Sequence, residues 1–277
     1  MNEPSPGVLH AEHVLLGAEF VPSPCTGAPC VSAYARESAE PVGAVLADLT
    51  GATYLLASGS DADAFIAASL AGRRLAVGEV AFEATLTGTG ALVSVPLLAR
   101  TGDREFVVVD AGPRGGSLSA WLEFLAHASS EEAPAFPDLG LEDASDMLVP
   151  LLLAGPAAGR VLSDYVHGDE RLPEQGAVLQ LHLDAITAIV ARPAASFLPP
   201  AYLVLVPVGA ARVLWRSLLS FTEVEPIGHV RLRSLLSRQL PWAEEIEGDP
   251  RQPARADLES WGVVRPSSDF VGARALG

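Results

Sequence analysis

Residues 77–95 read VGEVAFEATLTGTGALVSV. Two apolar, β-prone runs, Val80–Leu86 and Ala91–Ala99, flank the tetrapeptide Thr87-Gly88-Thr89-Gly90. A glycine-bearing connection between two such runs predicts a hairpin. The second run ends in Leu92-Val93-Ser94-Val95 and carries no aspartate.

Working outward, Leu9–Gly17 has apolar residues at Leu9, Val14, Leu15 and Leu16, with a glycine to end the turn, and predicts a short helix. Phe20–Pro41 is rich in Pro, Ser, Gly and Ala and reads as a long loop holding both cysteines. Gly43–Ser58 predicts two short strands around Asp48-Leu49-Thr50-Gly51. Ser60 or Asp61 then caps a helix over Ala62–Ala71, whose apolar face is Ala64, Phe65, Ala68 and Ala71. Phe106–Asp110 is a strand, and Leu118–His127 an amphipathic helix with Leu118, Trp121, Leu122 and Leu125 inward.

The second half repeats the style. Strands are predicted over Leu148–Ala154, Val178–Leu183, Ile186–Ala191 and Tyr202–Val206, with helices after Pro156 and from about Ala210 to Leu219. Hairpins mixed with helices point to an α+β fold with mostly antiparallel sheets, not a doubly wound parallel one.

With 49% hydrophobic and 19% charged residues over 277 positions, the chain can bury a real core. The net charge is −16 and every basic residue is arginine. An acidic chain repels phosphate backbones, which argues against nucleic-acid binding, and no basic cluster suits a membrane surface. The N-terminus lacks the pattern of a signal peptide, and the most apolar run, Met147–Ala158, is too short to span a bilayer, so a cytoplasmic protein is expected. Cys25 and Cys30 lack the partners a structural metal needs and read as reduced thiols; no metal is expected.

Several segments together resemble the glycine cleavage T-protein (aminomethyltransferase) family. They are LHAEHVLLGAEFVP from Leu9, ADLTG at Ala47–Gly51, SGSDADAF at Ser58–Phe65, residues 77–95 themselves, and FVVVDAG at Phe106–Gly112. Trp121, Pro253, Trp261 and DFVGARAL at Asp269–Leu276 complete the series. The resemblance covers 9–276 and implies a T-protein-like folate-binding fold of two intertwined subdomains. The whole of 1–277 would be the folate-binding-like region, with 9–135 and 140–277 as its halves and the family's C-terminal barrel domain absent.

In that family an aspartate stands beside the reacting nitrogen of tetrahydrofolate, where a carboxylate stabilises positive charge and steers a proton. The two matching positions here are Ser94 and Val95. The glutamate expected to grip the pterin matches Leu198, within PAASFLPPAY. The family's tyrosine is Phe82, which keeps a stacking face, and its asparagine is Asp110. Arg231 keeps an arginine, and Trp242 joins the expected lining. The implied cofactor-binding set is therefore Phe82, Asp110, Arg231 and Trp242, with catalytic residues unassigned. Each has a plainer alternative: Phe82 as core, Asp110 as a turn residue, Arg231 as surface charge.

Other groupings are weaker. His10 and His13, three apart, read as surface histidines. Glu244, Glu245 and Glu247 read as a solvated face, and Arg73-Arg74 as surface charge or a grip on a polyglutamate tail. Gly112-Pro113-Arg114-Gly115-Gly116 reads as a turn rather than an anion site. The resemblance implies a folate-binding protein of one-carbon metabolism with altered or weakened transferase chemistry. If active, it is a tetrahydrofolate-dependent aminomethyl or methyl transferase. The alternative is a non-catalytic scaffold or partner subunit similar to the sarcosine oxidase gamma subunit, with a protein partner in place of the missing domain.

Overall fold

A computed structural model describes residues 6–38, 42–129, 133–194 and 199–276. The chain divides into two compact units, each made of two separated stretches: Met1–Gly51 with Ser145–Leu240, and Ala52–Ala144 with Pro241–Gly277. The architecture is α+β with mostly antiparallel sheets.

The first unit is built on a six-stranded sheet. Its spatial order is Ala177–Leu183, Ile186–Arg192, Ala201–Pro207, Leu148–Ala154, Ala44–Asp48 and Val224–Pro226. Every neighbouring pair is antiparallel except the last, where Val224 lies beside Ala44 in parallel. Alternation along these strands sends Leu151 and Leu153, Val204 and Val206, and Leu46 into one core. The helix Val208–Leu218 closes it with Ala211, Leu214, Trp215 and Leu218, spaced as one face of a 3.6-residue period, while Val213 stays in solvent. Burying side chains of this size stabilises by roughly 1.5–3 kcal/mol each.

The stretch expected to be a long loop is instead a hairpin. Ala18–Pro22 pairs with Pro29–Tyr34, and Cys25 sits in the turn. Composition hid it, because the inward positions Val31 and Tyr34 are few among small and proline residues. Both cysteines are free, and Cys30 lies on the second strand.

The second unit holds a five-stranded antiparallel sheet ordered Gly140–Asp143, Thr53–Ser58, Glu105–Asp110, Leu97–Gly102, Val80–Phe82. Leu55, Ala57, Leu98, Phe106 and Val108 meet Phe65 and Ile66 of the helix Ala62–Ser69 and Leu118 and Leu122 of the helix Gly115–Ala126. The face of the first helix differs from expectation: Ala62, Phe65, Ile66 and Ser69 are buried, and Ala64 is exposed. Asp61 is its N-cap, but its side chain makes no capping bond and instead accepts from Asp138 N.

The hairpin predicted from residues 77–95 is present in two rungs. Val80–Phe82 pairs with Leu97–Gly102, and Thr85–Leu86 pairs with Leu92–Ser94. Between the rungs Glu83 N donates to Pro96 O at 3.0 Å. At the tip Gly90 has φ +82°, a conformation that side-chain-bearing residues rarely adopt. Pro241–Gly277 adds the short helices Ala243–Glu247 and Arg255–Ser260 and contributes Trp242, Leu258, Val263 and Phe270 to the interior.

Candidate functional site

Ser94, one of the two positions where the resemblance places an aspartate, ends the strand Leu92–Ser94 and is fully buried. Its hydroxyl donates to Asp110 Oδ2 at 2.5 Å. Asp110 ends the strand Glu105–Asp110, and its Oδ1 accepts Gly112 N at 2.7 Å. A carboxyl group therefore stands one hydrogen bond from the position at which the sequence lacks one. Burial pushes the Asp110 carboxyl up from the ordinary aspartate range, opposed by the bonds from Ser94 and Gly112. Asp110 is buried, and its bond from Gly112 N is the side-chain contact of a turn residue. Val95, the other position, is buried and apolar.

Phe82 is half-buried, and its ring lies 5.2 Å from that of Trp242, which is almost fully buried and is followed by Trp261 at 6.5 Å. Trp242 is carried there by the turn that opens the helix Ala243–Glu247. The second unit thus contains Phe82, Ser94, Asp110 and Trp242. Arg231 belongs to the first unit, on the helix His229–Ser237, where its Nε is buried with no hydrogen-bond partner among the described residues. Leu198 lies outside the described residues.

Sequence reasoning missed Glu83. It follows Phe82 directly, is buried, and has a carboxyl pushed up to about 8 by desolvation, with Arg265 and Arg73 acting in the opposite sense. Its Oε1 has no partner among the described residues. Gly72 makes room for it: a Cβ there would sit 2.5 Å from Glu83 Cγ. A charged residue inside an apolar hairpin run was the available signal.

His13 is not a surface histidine. It is buried in the first unit, with Nε2 2.8 Å from Asp48 Oδ2 and its ring edge-on to Trp215. His10 is half-buried and packs on Phe20 at 4.3 Å. The remaining groupings are structural. Arg73 pairs with Glu79, and Arg74 with Asp269 and Asp63. Glu244 and Glu247 are exposed on their helix. Arg114 turns inward and donates to the carbonyls of Leu92, Glu245 and Gly248, which makes the Gly112–Gly116 run a stapled turn. Among the described residues, no three His, Cys, Asp or Glu side chains are grouped to hold a metal ion, and no helix is long and apolar enough to cross a membrane.

The solved structure of glycine cleavage system aminomethyltransferase T from Bartonella henselae matches 98% of this chain and 73% of its own, with TM-score 0.71 and 20% identity. The fold is that of the T-protein. An aminomethyltransferase of Rubrobacter xylanophilus is 26% identical over 211 residues, 73% of this chain. This T-protein-like chain spans about half, 52%, of the length of that curated relative. The heterotetrameric sarcosine oxidase from Corynebacterium sp. U-96, solved with pyrrole 2-carboxylate, matches 66% of the T-protein-like chain and 86% of its own at TM-score 0.46 and 20% identity. No family model matches the sequence.

Proposed function

We propose that this T-protein-like protein binds a reduced folate in cytoplasmic one-carbon metabolism, with transferase chemistry weaker than that of its aminomethyltransferase relatives. The observation that carries the reading is the Ser94–Asp110 contact. It sets a carboxyl group beside one of the two positions at which the resemblance implies an aspartate.

The residues present fit a pterin. Half-buried Phe82 offers an aromatic face, backed by the tilted ring of buried Trp242. Each Asp110 oxygen already accepts one hydrogen bond and retains capacity for a second. Arg231 lies in the other unit and is not part of this site; its buried Nε has no partner among the described residues. A bound tetrahydrofolate supplies the ring nitrogen that receives a one-carbon group.

The weakening follows from the same geometry. Burial works against the charge on Asp110, and its oxygens already accept bonds from Ser94 and Gly112, so it offers less to a developing cation than a free aspartate does. Serine at position 94 donates a hydrogen bond but carries no charge. A loss of roughly 10²–10⁴ in rate relative to a free aspartate is the scale for such a group.

A second reading, a non-catalytic partner subunit, is favoured by one feature. Trp242 is almost wholly buried, and Asp110 spends a bond from each oxygen on its own chain, as core residues do.

Calorimetric titration with 5-formyltetrahydrofolate separates the two. One-to-one binding, weakened about tenfold or more (about 1.4 kcal/mol) in Asp110→Asn, supports the folate reading. Absence of binding in the unmodified protein leaves the subunit reading.

A further inference from the structure

Five buried polar side chains of the second unit stand next to one another. Thr53 and Asp110 are direct cross-strand partners, and so are Thr85 and Ser94. Partners directly opposite in an antiparallel pair place their side chains on the same face, about 4.5–5.5 Å apart at Cβ. The Ser94–Asp110 hydrogen bond joins the two pairs. Glu83 lies two residues before Thr85, on the same side of its run, because side chains alternate with period two. The run 70–72 confirms that placement: Leu70 bridges Thr85, Ala71 N donates to Ala84 O at 2.8 Å, and Gly72 makes room for Glu83. The row thus reads Thr53, Asp110, Ser94, Thr85, Glu83, with a carboxyl group at its end and another near its start.

All five are at most 5% exposed. Yet Thr53 Oγ1, Thr85 Oγ1 and Glu83 Oε1 are buried with no hydrogen-bond partner among the described residues. An orphaned buried oxygen is destabilising, because it has given up its water without gaining a partner. Three in one row, flanking one satisfied contact, are better explained by a guest than by three separate penalties. A row of hydroxyls and carboxyls suits water, which typically makes about three bonds to buried polar groups.

We propose that ordered water completes this row and makes it a proton-sharing network between Glu83 and Asp110. The transfer balances without any co-reactant. The Glu83 carboxyl releases its proton to the water beside it, each water and hydroxyl accepts one proton and passes on another, and Asp110 carboxylate ends as the acid. Both carboxyls are shifted upward by burial, so each holds its proton more firmly than an exposed carboxyl does. The charged groups that act on Glu83 are Arg265 and Arg73, the latter also paired with Glu79. The network needs no folate, and it shares Ser94 and Asp110 with the proposed site.

Infrared spectroscopy of the carbonyl stretch of protonated carboxyl groups, followed from about pH 5 to about pH 10, tests it. The unmodified protein should show a protonated-carboxyl band at neutral pH that Glu83→Gln removes. Asp110→Asn should shift the remaining titration by about one pH unit or more, the sign of coupled sites. Thr85→Val should break the coupling and Thr85→Ser restore it. Should Thr85→Val fail to fold, the two carboxyl variants decide alone. Independent titrations, or no protonated carboxyl at neutral pH, would overturn the proposal.

Discussion

Tyr34 Oη and His13 Nδ1 lie 2.7 Å apart, and the other ring nitrogen of His13 meets Asp48 Oδ2 at 2.8 Å. Asp48 in turn accepts Thr50 N and Thr50 Oγ1 through Oδ1. The chain of bonds is internally consistent when Nε2 carries the proton: Nε2–H donates to Asp48 and Nδ1 accepts from the tyrosine hydroxyl. Three elements of the first fifty residues, the opening helix and two strands, are fastened this way inside the first unit.

Tyr34→Phe removes one hydroxyl and leaves Nδ1 buried and unsatisfied. The expected loss is about 1–3 kcal/mol of stability, read from urea unfolding, with little change in fold. Asp48→Asn should cost less than Asp48→Ala, because the amide oxygen still accepts from Nε2. Equal losses for the two would break this account.

Arg265 makes a comparable fastening in the second unit. Its guanidinium donates to the carbonyls of Ala67, Leu70 and Gly72, at and beyond the end of the helix Ala62–Ser69, and to Asp269. Lysine cannot reproduce this fork of donors. Arg265→Lys should destabilise by at least about 2 kcal/mol in chemical denaturation. It should also raise amide exchange in 67–72 more than elsewhere.

The Glu83 carboxyl sets a pH dependence. Its folded value of about 8 lies above the ordinary 4.5, so the folded state binds the extra proton. The contribution to stability is complete below about pH 4.5 and disappears as pH rises through about 8. Asp110 acts in the same direction. The unfolding free energy should fall on the alkaline side by an amount on the order of a few kcal/mol, and Glu83→Gln should flatten that fall. Parallel pH profiles for the variant and the unmodified protein would refute the assignment.

Gly72→Ala brings a new Cβ against Glu83 Cγ and Cδ at 2.5 and 2.6 Å. Overpacking of this kind costs about 1–3 kcal/mol. Combining it with Glu83→Ala removes the two closest contacts and leaves only Glu83 Cβ at 2.9 Å, so the double variant should be more stable than the two single losses predict, by about 0.5–3 kcal/mol. Strict additivity would show that the two side chains do not meet.

Much of this was legible in the sequence. The hairpin of 77–95 and the strand Leu148–Ala154 were, because continuous apolar runs bounded by glycine and proline leave few alternatives. The serine at position 94 was legible; the carboxyl beside it was not, because only the tertiary fold brings Asp110 to Ser94 across fifteen intervening residues. Cys30 and Val31 looked like loop because strand propensity is weak where small residues and proline dominate. The short strand Val224–Pro226 pairs in parallel with a segment about 180 residues earlier, a distance no local pattern reports. His13 shows the same limit: its spacing from His10 suggested a surface, and its burial depends on Asp48 and Tyr34, which local sequence does not place beside it.

Because each unit is assembled from two separated stretches of chain, order of synthesis matters to its folding. The first stretch of the second unit emerges from the ribosome without the segment that carries Trp242, Leu258, Arg265 and Phe270. About a hundred residues must follow before that segment appears, and at roughly 5–20 residues per second this takes several seconds. Until then the carbonyls of Ala67, Leu70 and Gly72 lack their arginine, and the apolar surface those residues will cover is exposed to other nascent chains. This protein should therefore depend on chaperone shelter during translation more than a chain of equal length with two sequential domains.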